Sequence, residues 1–288
     1  MIPSGQAERP PGEVDLHMHS TASDGALAPS AVVAAARAAG LAAIALTDHD
    51  TMAGLVEAEL AAGPLGIRVV RGVELSAHDG AKEIHLLALH VSRPDLIESQ
   101  LSLFRDERAT RAQGIVDRLR RIGIDVSIET VMEEAAGGAV GRPHVARALV
   151  RGGHVRDSRE AFDRYLAAGK PGYIAKTRLE IADAIALAHA AGAIAVWAHP
   201  GYECRRERLE SLVKLGLDGV EVRHPGHVGE DIKRIAALVD FFGLVPSGGS
   251  DWHGTPEGQR SIGCMHIPPA WLHQQDVHLA RRNAAEVA

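Results

Sequence analysis

Nine residues of metal-binding type recur along the chain beside short apolar runs: His17, His19, Asp24, His49, Glu74, His85, His199, Asp251 and His253. Imidazole nitrogens and carboxylate oxygens are ligands that first-row divalent ions accept. A His-x-His pair at a strand end can aim both rings at one place, because alternate strand residues share a side. Each residue alone also has a plain structural reading. Asp24-Gly25 fits a turn, and Asp48-His49-Asp50 before Thr51 fits a helix cap. Such readings leave unexplained why six histidines, two aspartates and a glutamate fall at the same topological position. Nine ligands exceed the roughly four of a single zinc site, so two or three ions are implied, with Glu74 or Asp251 bridging. A donor set without cysteine favours manganese, iron or zinc. Two such ions about 3.5–4 Å apart acidify a bridging water and clamp a phosphoryl oxygen, which is the chemistry of phosphate-ester hydrolysis.

The elements around these residues predict how they are brought together. Val14–His17, Leu41–Leu46, Ile67–Val73 and Ile84–Leu89 read as strands, alternating with helices after Pro29 and over Thr51–Ala62, the latter stopped by Gly63. The pattern resumes later with strands at Ala193–Ala198, Gly219–Val222 and Leu244–Ser247, and helices at Leu209–Leu215 and Asp231–Phe242. Thr177 and Glu180 have capping-box spacing before another helix, which Gly192 stops. About seven strands alternating with helices imply a mainly parallel sheet. In a closed parallel barrel the carboxyl ends of the strands share one face, where distant residues converge. Between about Leu96 and Ala168 only helical patterns occur, with Pro143 opening one helix, Gly152 closing it, and Asp157 and Glu160 spaced as a capping box. The expected organisation is a tail over residues 1–13, a discontinuous barrel domain over 14–95 and 173–288, and a helical insert over 96–172.

Composition narrows the class. The chain has 288 residues, 46% hydrophobic and 24% charged, which suits a globular protein with a substantial core. Its formal net charge of −6 argues against tight binding to long nucleic acid or a membrane surface. The most apolar stretch, Ala184–Ala198, is broken by His189 and Gly192 and is too short to span a bilayer. Two cysteines, Cys204 and Cys264, give no disulfide framework and point to a reducing, cytoplasmic setting.

The motifs resemble those of the polymerase-and-histidinol-phosphatase (PHP) superfamily. They are Asp15-Leu-His-Met-His-Ser-Thr-Ala-Ser-Asp-Gly25, Leu46-Thr-Asp-His-Asp50, Gly72-Val-Glu74, Ile84-His85, Ala198-His-Pro-Gly201 and Gly249-Ser-Asp-Trp-His253. Gly141-Arg-Pro-His144 and Gly169-Lys-Pro-Gly-Tyr173 match the bacterial branch that removes the 3′-phosphate from nucleoside 3′,5′-bisphosphates. Members of that branch or close relatives also act as 5′→3′ exoribonucleases on short RNA. The resemblance implies an α/β fold, a distorted (β/α)7 barrel with a small all-helical insert, and three divalent ions. Manganese is the expected metal, with zinc or iron as alternatives. His17, His19, Glu74 and Asp251 would hold one ion. Glu74 would bridge to a second, shared with His85 and His199, and Asp24, His49 and His253 would hold the third.

Phosphate-bearing substrates need cationic donors beyond the metals. Arg105, Arg108 and Arg111 recur every three residues on one helix face. The resemblance favours Arg108 and Arg111 as substrate contacts. Arg142, before Pro143 at a helix start, can grip a phosphate through its fork, and Lys170 lies in a glycine-flanked loop. The insert is expected to cap the barrel mouth and read the second phosphate. Arg108, Arg111, Arg142, Pro143 and Lys170 are thus candidate substrate contacts, with Asp24, His49 and His253 facing substrate as well. A metal-bridging hydroxide would attack phosphorus in line, Asp251 would accept its proton, and His224 or His227 would protonate the leaving oxygen. The expected substrate is a small nucleotide bisphosphate, with a short 5′-phosphorylated RNA or DNA as the alternative. Histidinol phosphate and a non-catalytic metal module are more remote readings, and no stable protein partner is expected.

Overall fold

The computed structural model describes residues 12–135, 140–175, 178–254 and 260–287. Two compact units form, one from the described residues up to Glu98 together with Leu179 onward, the other over Ser99–Arg178.

The first unit begins with β1 (Val14–Met18), α1 (Pro29–Ala38), β2 (Ala43–Leu46), α2 (Leu55–Leu65), β3 (Arg68–Asp79) and β4 (Lys82–Leu89). Helix α3 (Pro94–Arg121) follows; α4 (Ile128–Ala135), α5 (Arg142–Arg151) and α6 (Ser158–Ala161) belong to the second unit. The chain returns through β5 (Leu179–Glu180), α7 (Ile181–Ala190), β6 (Ile194–Trp197), α8 (Arg206–Lys214), β7 (Gly219–Arg223), α9 (Gly229–Phe242), β8 (Val245–Gly248) and α10 (Pro269–Val287). Strands pair in the order β1-β2-β3-β4-β6-β7-β8, with the short β5 added beside β3. The segment after β8 comes back to β1: Asp251 N donates to His17 O at 2.9 Å and His19 N to Trp252 O at 3.0 Å. The sheet is therefore nearly closed, a distorted (β/α)7 barrel whose interior packs Leu16, Ala45, Leu87, Leu89 and Val196.

Three sequence expectations change. Strand β3 does not end at Glu74 but runs to Asp79 and turns back into β4. Gly80, at φ 60°, makes that tight turn, and Asp79-Gly80 between two apolar runs is its local signal. Strand β4 is consequently antiparallel to both neighbours, so His85 reaches the barrel rim from the beginning of its strand. Helix α2 passes through Gly63 and Pro64 and stops at Gly66, which adopts φ 60°; a glycine in the last turn costs little, while the left-handed cap needs one. Finally, Thr177 lies outside the described residues, and Glu180 is itself the residue preceding α7.

Opposite the rim, Ile267 bridges to Val14 and Leu272 of α10 joins the interior core. Asp218, just before β7, receives the Ala195 amide at 2.7 Å, His189 Nε2 at 2.8 Å, His278 Nε2 at 2.9 Å and an Arg282 nitrogen at 3.3 Å.

The second unit has its own core, drawn from Ile115, Val116, Leu119, Val131, Val145 and Leu149. Asp157 caps α6 by accepting from Glu160 N at 2.8 Å, and a π turn, Phe162–Leu166, follows.

Candidate metal centre

Strand alternation alone cannot put both Leu16 and His17 inside the barrel. A bulge in β1 does so: Asp15 pairs with Ile44 and Met18 with Leu46, leaving one extra residue on β1. Past that bulge, His17 and His19 face the same side. His199 and Asp251 turn inward through φ values of 31° and 49°, which side-chain-bearing residues rarely adopt. Glu74 projects from the middle of β3.

Four atoms converge at the centre. His17 Nε2 lies 3.0 Å from Glu74 Oε2, 3.1 Å from His19 Nε2 and 3.4 Å from Asp251 Oδ1. His19 Nε2 is 3.2 Å from both carboxylate oxygens. Glu221 fixes the chemistry of this group. Its Oε1 accepts from His17 Nδ1 at 3.1 Å, so the lone pair of neutral His17 sits on Nε2 and faces the other acceptors. Its Oε2 accepts the His199 amide at 2.7 Å.

The second oxygen of Glu74 meets two more rings. His85 Nδ1 is 2.7 Å and His199 Nε2 2.9 Å from Oε1. A third group surrounds Asp24, which is 3.3 Å from His253 Nε2, 3.7 Å from His19 Nδ1 and 3.9 Å from His49 Nε2. His253 donates Nδ1–H to Asp251 O at 2.9 Å, which leaves its Nε2 lone pair toward Asp24. His49 Nδ1 also lies 3.4 Å from Glu74 Oε2. Thus eight of the nine residues fall into three overlapping groups, with His19, His49 and Glu74 each facing two of them, and His199 joins through Glu74 Oε1.

This donor set fits cations. Separations of 3.0–3.4 Å between ligand atoms are those of donors about 2.0–2.2 Å from a shared ion. His19 Nδ1 is buried and makes no hydrogen bond. Without an ion only protons relieve the clustered acceptors. Burial disfavours charge on His17, yet Glu74 and Glu221 overcome it and raise its pKa well above the imidazole range. Burial alone would raise Glu74, but the charge of His17 and bonds from His17, His19 and His199 hold it well below the carboxylate range.

The residues around the ligands are tied in turn. Asp48 accepts from Ser20 N, Ser20 Oγ and Ser23 Oγ, each at 2.7 Å, and so secures the loop that carries Asp24. Asp50 accepts Ser76 N at 2.9 Å, fastening His49 to the strand of Glu74. Asp15 accepts Ser250 N at 2.8 Å beside Asp251. Glu221, Asp48, Asp15 and Arg260 are the parts that sequence reasoning missed. A glutamate in the apolar run Gly219-Val-Glu-Val222 was the available signal for the first; Arg260 lies outside every motif.

His224 and His227 differ. The Gly226 amide donates to His224 Nδ1 at 3.0 Å, so its Nε2–H points at Asp251 Oδ2, 3.2 Å away. His227 donates Nδ1–H to Val222 O and accepts the Gly201 amide on Nε2, both at 3.0 Å. Burial lowers its pKa. Both of its nitrogens are thus engaged by backbone, and its Nδ1–H is directed to Val222 O. Asp251 Oδ2 accepts from His224 and from Arg260 at 2.6 Å. Burial would raise this carboxyl, but bonds from His19 and His224 bring it below the carboxylate range, which suits a ligand better than a proton acceptor.

A cavity of about 290 Å³ opens over the group, lined by Glu74, His85, His199, His224, Asp251 and Arg260 among others. Cys204 takes no part: it is buried, and burial pushes its thiol up to about 12.

Within the second unit the two insert motifs meet. The Arg142 guanidinium lies 5.4 Å from the Tyr173 ring centre and bonds Leu166 O at 3.2 Å. Arg111 is half-buried, and burial together with the charges of Arg142 and Arg108 lowers its pKa. His144 Nδ1 accepts the Gly141 amide at 2.9 Å. Pro143 and Lys170 are exposed, and the Arg105 side chain lies outside the described residues.

Several known proteins are similar to this chain. A 3′,5′-nucleoside bisphosphate phosphatase of Chromobacterium violaceum is 37% identical over 89% of this chain and 93% of its own. A 5′-3′ exoribonuclease of Haemophilus influenzae is 39% identical over 83% of this chain and 89% of its own. A crystal structure from Bifidobacterium adolescentis, described as a metal-dependent phosphoesterase, superposes with a TM-score of 0.67 at 31% identity, covering 93% of this chain and 96% of that one. Residues 15–175 match the PHP domain. The chain belongs to the PHP family.

Proposed function

We propose that this protein is a metal-dependent hydrolase of phosphoric esters that removes the 3′-phosphate from nucleoside 3′,5′-bisphosphates to leave 5′-mononucleotides. The observation that carries this reading is the gathering of imidazole and carboxylate groups into three overlapping candidate cation sites beside one cavity, in a chain that aligns along most of its length with a bisphosphate phosphatase. Three groups of ligands suit three ions, with manganese the expected one; Glu74 serves two of them. Divalent ions held there would neutralise the phosphoryl oxygens and acidify a water. His224 holds the mobile proton at Nε2 and gives it to the leaving oxygen. Asp251 orients that proton, and Arg260 keeps Asp251 in place. Arg108, Arg111 and Arg142 take the second phosphate. Arg142→Ala then lowers kcat/KM about tenfold or more on a bisphosphate but much less on the corresponding 3′-monophosphate; equal losses on both would remove this role. The setting is the cytoplasm, in keeping with two free cysteines.

A 5′→3′ exoribonuclease acting on short RNA is the second reading, favoured by the similarity to the Haemophilus influenzae enzyme. Product analysis separates the two. Mn²⁺-loaded protein receives adenosine 3′,5′-bisphosphate and, separately, a short 5′-phosphorylated RNA. Phosphate and 5′-AMP released from the first with little attack on the second supports the phosphatase. Stepwise release of 5′-mononucleotides at equal or greater efficiency assigns the exonuclease.

A further inference from the structure

A second cavity, of about 410 Å³, shares His85, His199 and Gly226 with the one over the metal ligands. Its other walls come from Lys82–Ile84 at the start of β4 and from Trp197–Glu203. No residue of the PHP motifs explains this space beyond Ile84-His85 and the Ala198–Gly201 run. Tyr202 stands at its edge with 70% of its surface exposed, three residues after the ligand His199. An exposed aromatic is unremarkable on a loose loop, but this one is held. It is the middle residue of a single 3-10 turn, Gly201–Glu203. Arg234 bonds Gly201 O at 2.8 Å and Cys204 O at 3.1 Å. His227 accepts the Gly201 amide, and Lys82 pairs with Glu203. Phe241, another exposed aromatic, is covered by the Arg206 guanidinium at 4.4 Å, whereas Tyr202 borders a cavity.

A rigid aromatic face beside a phosphate-processing centre is the arrangement that stacks a nucleobase. The volume lies within the range of small-ligand pockets. We propose that this cavity is the nucleobase subsite, with Tyr202 as the stacking surface and the Lys82–Glu203 pair and His227 as the parts that hold it there. The inference rests on a nucleotide being the substrate. Because every base has a π face, the subsite binds purines and pyrimidines alike and recognises the presence of a base more than its identity.

The test compares adenosine 3′,5′-bisphosphate with its abasic counterpart, the 3,5-bisphosphate of the same sugar lacking the base. In wild type the nucleotide has the higher kcat/KM. Tyr202→Ala is expected to shrink the ratio of the two roughly tenfold, mainly through KM, and Tyr202→Phe to keep it. Tyr202 is exposed, so neither change threatens folding. Calorimetric binding of 5′-AMP against ribose 5-phosphate gives a second readout that needs no turnover. A wild-type ratio near one, or a ratio untouched by Tyr202→Ala, overturns the subsite. No hydrolysis of either bisphosphate, with 5′-AMP still preferred and that preference lost in Tyr202→Ala, overturns the phosphatase reading and upholds the subsite.

Discussion

The two ends of the barrel each collect histidines around buried carboxylates, with opposite outcomes. At the closed end, Asp218 receives an amide, two imidazoles and a guanidinium, so each of its oxygens meets protein donors. At the rim, Glu74, Asp251 and the Nε2 edges of His17 and His19 face one another within 3.4 Å. Residue types are the same; the balance of donors is not. A balanced cluster is a structural pin. A cluster with surplus lone pairs is completed by something positive from outside, and Glu221 enforces the surplus by taking the only other nitrogen of His17.

The contrast breaks most sharply at Glu74. Glu74→Gln removes the shared ligand, and kcat falls about a thousandfold or more. Metal analysis shows fewer ions per chain, and Mn²⁺ raises the melting temperature of the wild type but not of the variant. Full activity with unchanged metal content would place the site elsewhere.

Asp218→Ala should do the reverse. It leaves two imidazoles and a guanidinium without their carboxylate and lowers stability by about 3 kcal/mol, while activity per folded molecule persists. The effect depends on pH. Burial would raise the Asp218 carboxyl, but bonds from His189, His278 and the Ala195 amide outweigh it and leave the pKa below the ordinary range. A depressed folded-state pKa means that the unfolded chain binds the proton first. The contribution is therefore complete above roughly pH 4 and declines as the pH falls further toward the folded-state value. Urea midpoints of the two proteins should converge on acidification; a gap that widens would contradict the assignment.

Glu221→Gln keeps the shape of the side chain and loses its charge. Weaker orientation of His17 should cost about 10–100-fold in metal affinity, read by competition with a chelating dye. Affinity equal to wild type would leave His17 independent of Glu221.

His227 sharpens the comparison most finely. It stands on the rim but is balanced, like the residues of the closed end. His227→Ala should lower stability by about 1 kcal/mol and leave both limbs of the kcat–pH profile in place. Loss of one limb would return His227 to the chemistry.

The candidate ligand set was legible as a cluster because each residue adjoins an apolar run of its own, and strand-and-helix alternation is a local pattern. His17-Met-His19, Asp24, His49 and Asp251-Trp-His253 could be placed in this way, as could the turn from Asp79 to Lys82 had its Asp-Gly signal been used. Glu221 was not legible as more than a strand residue, because its role is set by a contact 204 positions away. His224 and His227 looked equivalent, since nothing local says which ring the backbone amides of Gly226 and Gly201 engage.

By itself, then, the sequence determined the residue types, the order of the strands and the existence of a helical segment with its own apolar face, all consequences of short-range periodicity. Tertiary structure decided direction. The reversal of β4 sends His85 to the rim, the bulge in β1 admits both Leu16 and His17 to the interior, and left-handed backbone at His199 and Asp251 turns two candidate ligands inward. Each departs from regular strand geometry, and such departures persist only where packing and hydrogen bonds from distant parts of the chain hold them.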